Sequence, residues 1–530
     1  SHLGNAISNE IITELYKIKE FRVISYTSTL QYKESSKPIP VIGEELGVNY
    51  IIEGIVERQN DNVNIHVQVI RAKNEDHIWA EEFDGKWKDI FKIQDNIALK
   101  VAKELKAALS ANEMKSIEKT PTENLEAYNY YLRGNDFFWR SEEDQDYRIA
   151  INMYQKAIEL DPEFALAYTL LAKAHLLMYW YHYDRTAGRL SESKKAIDAA
   201  FSIDPDLVDA YIALGAYYYR GFMDYSEALK QFETALKYMP NNAECLFYIA
   251  SVYRRMGSWQ KAEEVFSEAS NYDPGNSKIA YNTAETYFLL GKYSENLNYV
   301  NLVIDLNPDF IQAYRQKVDL FLKWEGNTEN ARKIIEETSL IISPSAYPEM
   351  IEIIVLLDIF EGKYQDALHF LNTTNFEAVQ PQFYYYPKFL FYAIIYDLME
   401  DTEKAKFYYN LSRIALEARI LDYPEDSRLY STLGICYAGL GQKEPALQAG
   451  EKGVELMPIS KDAWRGVYRL GDLARIYVMV GEYELALEKL DYLLSIPGIL
   501  SVKLLRLDPV WKPLWNHPEF IRLIEKYTEK

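Results

Sequence analysis

The side chains with most chemistry to offer are few and scattered. Seven histidines occur in 530 residues, and two of them, His175 and His182, stand seven positions apart, the second inside YWYHYDR. A zinc site on a helix needs donors one turn apart, typically with a glutamate between them, as in HExxH. No such pair accompanies these two, so an ordinary packed or solvated pair is the favoured reading and no metal is expected. The two cysteines, Cys245 and Cys436, have no histidine nearby in sequence to take a proton. Two thiols also cannot build a zinc cluster or a disulfide framework, so both read as small apolar residues. Phosphate cradles of the forms GxxxxGKS/T and GxGxxG are missing, as is the GxSxG turn that presents a nucleophilic serine. Adjacent carboxylates such as Glu44-Glu45 and Glu263-Glu264 are what solvated helix faces carry. The chain is expected to be non-catalytic, with no cofactor.

Charge narrows the partners. Lysine and arginine number 58 against 79 aspartates and glutamates, a net charge of −21. Nucleic-acid affinity rests on neutralising phosphates with cations, so no nucleic-acid partner is expected. The longest apolar runs, such as Ile351–Leu357, are too short for a bilayer, and no membrane insertion by this segment is expected. A hydrophobic fraction of 48% argues against disorder over most of the chain. Its length exceeds one compact core. Ser1-His2 reads as a cloning remnant, so the start is uninformative about targeting.

The elements that would position a site follow one pattern, clearest in AECLFYIASVYRRMGSWQKAEEVFSEASNYDP, residues 243–274. Leu246, Ile249, Ala250 and Tyr253 share one helical face, and Ala262, Phe266 and Ala269 share another. Gly257 is placed to end the first helix, and Pro274 cannot continue the second. Such a hairpin cannot bury its apolar face alone and must stack on copies of itself. Closing prolines recur in steps of 34 from Pro240 to Pro274 to Pro308, and again from Pro424 to Pro458. Gly434, Tyr437 and Ala446 repeat the pattern in SRLYSTLGICYAGLGQKEPALQAGEKGVELMP.

These units resemble the tetratricopeptide (TPR) family. The resemblance implies a mainly α protein, a right-handed TPR α-solenoid whose first helices line a concave groove. It places groove positions at residues two, five, nine and twelve of a unit. These are Tyr128, Tyr131, Asn135 and Phe138 in the first repeat, Glu244, Phe247, Ser251 and Arg254 in the fourth, and Lys278, Tyr281, Glu285 and Phe288 in the next. Aromatic rings would supply contact area, and Arg254 or Lys278 would meet a carboxylate of a protein or peptide ligand. The paired Lys/Asn pattern of chaperone-tail-binding modules is not reproduced. With 44 tyrosines in the chain, many groove rings are equally suited to packing on neighbouring helices.

Residues 1–115 have another rhythm. A helix is expected from Ala6, a strand over FRVISYT, a short helix from Pro40, then a hairpin of YIIEGIVER and VNIHVQVIRA turning at 59–62. A strand at His77–Phe83 and a long helix over Trp87–Ala111 complete a small α+β domain. The order of RVISYTS, IGEELGVNYIIEGIVER, VNIHVQVIRAKNEDHIWAEEFD and DIFKIQDNIALKVAKEL resembles the TolB-amino-terminal-like module, whose usual first strand is missing here. That module precedes TPR arrays in bacterial class III nucleotide cyclases, kinases and winged-helix regulators. Residues 116–126 read as a linker, 127–497 as about ten hairpins, and 498–530 as a cap in which Leu504, Leu507, Trp511, Leu514, Phe520 and Leu523 cover the last hairpin. NTTNFEAVQPQFYYYP reads as a break in regularity, a change of superhelical pitch.

The resemblances imply a scaffolding segment of a bacterial signalling protein that binds a partner protein or peptide in the groove. An alternative has the TolB-like module sensing a small molecule or envelope component while the repeats oligomerise; a homodimer is left open. The implied compartment is the cytoplasm, or the periplasm for a parent with an upstream transmembrane span.

Overall fold

The computed structural model describes residues 2–33, 35–117, 119–140 and 143–528. Ser1, Glu118 in the expected linker, and Ser141-Glu142 lie outside them. Two compact units are formed, Ser1–Val252 with Glu264–Ile279, and Tyr253–Glu263 with Ala280–Lys530.

The first unit opens with α1 (His2–Tyr16), α2 (Tyr26–Leu30) and α3 (Ile39–Glu45). An antiparallel sheet β1-β2-β3 follows, with strands Tyr50–Gln59, Asn62–Arg71 and Asp76–Lys86. Asn60 turns the first hairpin at φ 57°, a left-handed conformation that asparagine tolerates. Alternation in β2 buries Val63, Ile65, Val67 and Val69 on one face. That face packs on α4 (Ile90–Glu104) through Ile90, Ile93, Ile97 and Val101, and on Ile7, Leu15 and Ile18. Lys106 at φ 60° follows α4, so the expected single helix to Ala111 breaks and resumes as α5 (Ala111–Ile117).

One expectation fails. FRVISYT is not a strand: residues 21–25 pair with no ladder, and Tyr26–Leu30 is helical under a Ser25 cap. Its backbone groups find partners in the repeats instead. The Asn241 amide donates to the Phe21 carbonyl at 3.5 Å, and the Ser25 N–H donates to Asp273 at 3.3 Å.

Ten helix pairs follow among the described residues, from Leu125–Phe138 with Asp144–Leu160 to Arg465–Met479 with Tyr483–Ser495. Ala250, Ala262, Phe266 and Ala269 are buried, and Gly257 takes φ 74° at the turn between its two helices. At the end of the chain Leu505, Trp511, Leu514, Phe520 and Leu523 pack on Leu487 and Leu490. Leu504 and Leu507, expected in that cap, face the cluster of Val318, Leu322 and Ile353 instead.

Candidate functional site

In each unit the chain itself covers much of the first-helix face of its hairpins.

In Ser1–Val252 the guest is the N-terminal module. Tyr128, on Leu125–Phe138, is fully buried; its ring lies 4.5 Å from Phe91, and its hydroxyl accepts from the Gln94 amide at 3.1 Å. Tyr131 stacks between Tyr128 and Phe164, at 6.2 and 4.9 Å. Asn135 accepts from the Tyr154 hydroxyl at 3.0 Å, and Phe138 packs on Tyr147. Helix α1 brings two carboxylates to this face. Glu10 is 5% exposed, and burial, with the charges of Glu14 and Asp209, pushes its carboxyl up to about 8. Burial likewise pushes Glu14 up to about 7, against the pull of Lys17 at 2.7 Å. Buried Lys173 pairs with Glu244 at 3.1 Å; burial opposes its charge, but Glu244 and Asp209 outweigh that and raise its pKa. Beyond α1, the Asp273 carboxylate accepts from the Ser28 hydroxyl at 2.6 Å, and Arg22 donates to the Asn271 carbonyl. Phe247 is half-buried against Tyr248 and Phe266, the Ser251 hydroxyl donates to the Phe247 carbonyl at 2.8 Å, and Lys278 is exposed.

In the second unit Arg254 is 2% exposed. It donates to the Asn282 carbonyl at 2.9 Å and the Asn282 side chain at 2.6 Å, with its guanidinium 4.0 Å above Trp464. Glu285 lies 3.6 Å away, and burial pushes its carboxyl up to about 7, opposed by Arg254 and Arg255. Tyr281 packs on Phe310 at 5.0 Å. Phe288 lies beneath the buried Lys323 ammonium, which sits 4.4 Å from its ring. That ammonium donates to the Phe288 and Gly498 carbonyls, and burial pushes it down to about 7. Tyr128, Tyr131, Asn135 and Arg254 are therefore closed to an outside ligand in this arrangement, a correction that follows from the side chains packed over them.

The stretch expected to be a change of pitch is a folded finger. Ala378 pairs with Pro387 and Val379 with Tyr386, leaving 380–385 as its loop. A half-buried loop presents carbonyls that need donors, and arginines supply them. Arg428 donates to the Pro381 carbonyl at 2.7 Å, Arg255 to the Gln382 side chain at 2.7 Å, and Arg469 to the Phe383 carbonyl. Arg465 also reaches Gln382, at 3.5 Å, and the Thr432 hydroxyl donates to the Tyr385 carbonyl at 2.8 Å. The Phe383 ring lies 4.7 Å from both Trp464 and Tyr468, stacked on the latter at 14°. The Tyr384 hydroxyl donates to Glu352. Arg255 also pairs with Asp462 at 3.2 Å, both nearly inaccessible. Sequence reasoning missed Arg255, Arg428, Thr432, Arg465 and Arg469. Their one signal is position, because Arg428 and Arg465 open first helices just as groove residues do.

Burial pushes both cysteine thiols well above their usual value. His175 and His182 each face an arginine, Arg189 at 2.9 Å and Arg185 at 3.0 Å. Burial first, then the Arg189 charge, pushes His175 down to about 4. Among the described residues no group of three or more His, Cys, Asp or Glu is placed to hold a metal, and no helix is long and apolar enough to cross a membrane.

Known proteins share parts of this architecture. A family model described as TPR repeat matches residues 143–178, and one described as anaphase-promoting complex, cyclosome, subunit 3 matches 223–301. The chain is mainly helical, with a small three-stranded sheet near its N-terminus, and residues 143–178 are similar to TPR repeats. Among solved structures, a thermophilic TPR protein of Thermus thermophilus, TTC0263, is 17% identical, with 37% of this chain and 99% of that one covered and a TM-score of 0.33. YrrB, described as a TPR protein with an unusual peptide-binding site, is 21% identical, with 40% and 99% covered and a TM-score of 0.24. Residues 2–100 match a model described as the second domain of HilA/YgeH-like transcriptional regulators, a different description from the TolB-like resemblance of the sequence. "Putative adenylate cyclase 3" of Rhizobium meliloti (strain 1021) is 30% identical over 171 residues, 32% of this chain and 29% of the relative. The match thus spans less than a third of that relative's length.

Proposed function

We propose that this chain is a non-catalytic interaction segment of a bacterial signalling protein, and that the first-helix faces of its tetratricopeptide hairpins bind polypeptide. The observation that carries this reading is the finger. Its carbonyls, amide and rings are held by Arg428, Thr432, Arg465, Arg469 and Trp464 in the way an extended ligand would be held, by backbone acceptors and aromatic anchors. In the second unit Tyr281 and Phe288, less enclosed than Arg254, are proposed to extend that surface to a partner, and in the first unit Phe247 and Lys278 are proposed to offer a surface of the same kind. The order of blocks in residues 1–115 supports a regulatory module of TolB-like type. A relative named for adenylate cyclase supports a cyclase-linked parent working in the cytoplasm.

The test replaces residues 380–385 with a glycine-serine turn and offers a synthetic 378–387 peptide in solution. Fluorescence anisotropy is expected to show saturable binding to the replaced chain, lost on adding Arg469→Ala. A folded replaced chain that ignores the peptide would sink the reading.

A further inference from the structure

Six arginines are buried among the described residues, and five of them face a carboxylate. Arg254 lies 3.6 Å from Glu285, Arg255 3.2 Å from Asp462, Arg428 2.6 Å from Asp426, Arg465 3.8 Å from Asp462 and Arg469 3.1 Å from Asp472. Arg220 is the sixth. It is 7% exposed, its Nε finds no acceptor, and no carboxylate among the described residues pairs with it. Rings surround it instead. The guanidinium carbon lies 5.8 Å from the centre of the Trp180 ring and 5.3 Å from that of Tyr248. The titratable groups that act on its charge are Tyr248, Tyr181, Tyr219 and Tyr147, and a tyrosine hydroxyl carries no charge at neutral pH. An arginine cannot shed its proton to escape burial. A buried charge without a counter-ion costs more than two ring contacts return.

The backbone is irregular at the same place. Trp180, Arg220 and Tyr248 come from three consecutive first helices, Ala165–Trp180, Val208–Tyr217 with its continuation, and Ala243–Arg255. The middle one widens into a π-helical turn, Tyr218–Phe222, followed by Met223 at φ 56°. The extra residue in that turn moves Arg220 off the ordinary helical stripe.

We propose that Arg220 anchors a binding site for a small organic monocarboxylate, whose anion supplies the missing counter-charge. The guanidinium fork matches the two oxygens of a carboxylate. One positive charge calls for one negative. Lys173, the buried cation on Ala165–Trp180, is already paired with Glu244 at 3.1 Å, so a phosphate dianion would leave a charge unmatched among the rings. Trp180, Tyr219 and Tyr248, joined at 5.5 and 6.5 Å between ring centres, offer apolar contact to the body of the acid. Tyr219 and Tyr248 are buried and Trp180 half-buried, an enclosure suited to one small group and not to an extended chain. This site does not depend on the peptide-binding reading.

Thermal unfolding of the full chain tests the proposal, alongside Arg220→Met and Arg220→Lys. Phenylacetate is the probe; phenylacetamide, inorganic phosphate and a tetrapeptide ending in phenylalanine are the comparisons. In buffer alone Arg220→Met, freed of an unmatched buried charge, is expected to melt about 2 °C or more above the parent. Phenylacetate is expected to raise the parent's midpoint progressively with its concentration and to leave Arg220→Met unmoved. Arg220→Lys keeps the charge without the fork, and should need more than about tenfold more phenylacetate for the same rise. Phenylacetamide, similar in shape but uncharged, should move none of them. An Arg220→Met chain that melts below the parent or does not fold shows the arginine serving the fold alone, and overturns the proposal. So does a parent that phenylacetate leaves unmoved, or a rise that survives in Arg220→Met. A response to phenylacetamide, phosphate or the tetrapeptide as large as that to phenylacetate overturns it as well.

Discussion

Helix α1 lays the carboxylates of Glu10 and Glu14 against the first-helix face of the first unit, whereas the finger lays carbonyls against the arginines of the second. The same kind of surface has thus been filled by two chemistries. A buried carboxyl without enough cations nearby keeps its proton, so the first arrangement depends on pH. Guanidinium groups stay charged throughout the accessible range, so the arginines that hold the finger do not themselves titrate, although Glu285 beside Arg254 is pushed up to about 7. The surface is general, and the guest decides how its hold responds to solution conditions.

The largest expected effect falls in the second unit. Trp464→Ala removes the ring that lies 4.0 Å from Arg254, 4.6 Å from Arg255 and 4.7 Å from Phe383. It should cost about 3–5 kcal/mol, read as a lowered denaturant midpoint. Hydrogen exchange should show the loss in residues 280–530 and leave 1–252 unchanged; equal loss in both would break the distinction. Arg469→Ala strands the Phe383 carbonyl and Asp472, and should cost about 3 kcal/mol. Limited proteolysis within 380–385 should quicken.

In the first unit the effect is smaller and tied to pH. Glu10 and Glu14 hold protons in the docked state that free carboxyls have already released. The docked state therefore binds more protons, and its stability falls as pH rises from about 4.5 toward 8, after which the loss is complete. Amide exchange in α1, corrected for its intrinsic pH dependence, should speed up across that window. Glu10→Gln should flatten the profile and protect α1 at pH 8, and an unchanged slope would remove the contrast. Least of all, Lys278→Ala should shift stability by under about 0.5 kcal/mol, as is usual for an exposed position. A larger shift would show that this groove position is also held in place by the fold.

The repeats were legible because each hairpin carries its own instructions. Small residues at Ala250, Ala262 and Ala269, a left-handed turn at Gly257 and a closing proline are local features that any copy must display. The hairpin β1-β2 was equally plain from alternation in VNIHVQVIRA and turn residues at 59–62. FRVISYT was misread because β-branched and aromatic content marks extended chain, not where its backbone bonds go, and here they go to Asn241 and Asp273.

The sequence by itself determined the period and the helix pairs. Only the tertiary structure decided what lies on the first-helix faces. Tyr128 and Arg254 are spelled the same whether a partner, an N-terminal helix or a finger covers them. The contacts that bury them join residues far apart in the chain, Tyr128 with Gln94 and Arg254 with Trp464. No local spacing records such pairings, since they arise only once the backbone has brought distant segments within hydrogen-bond reach.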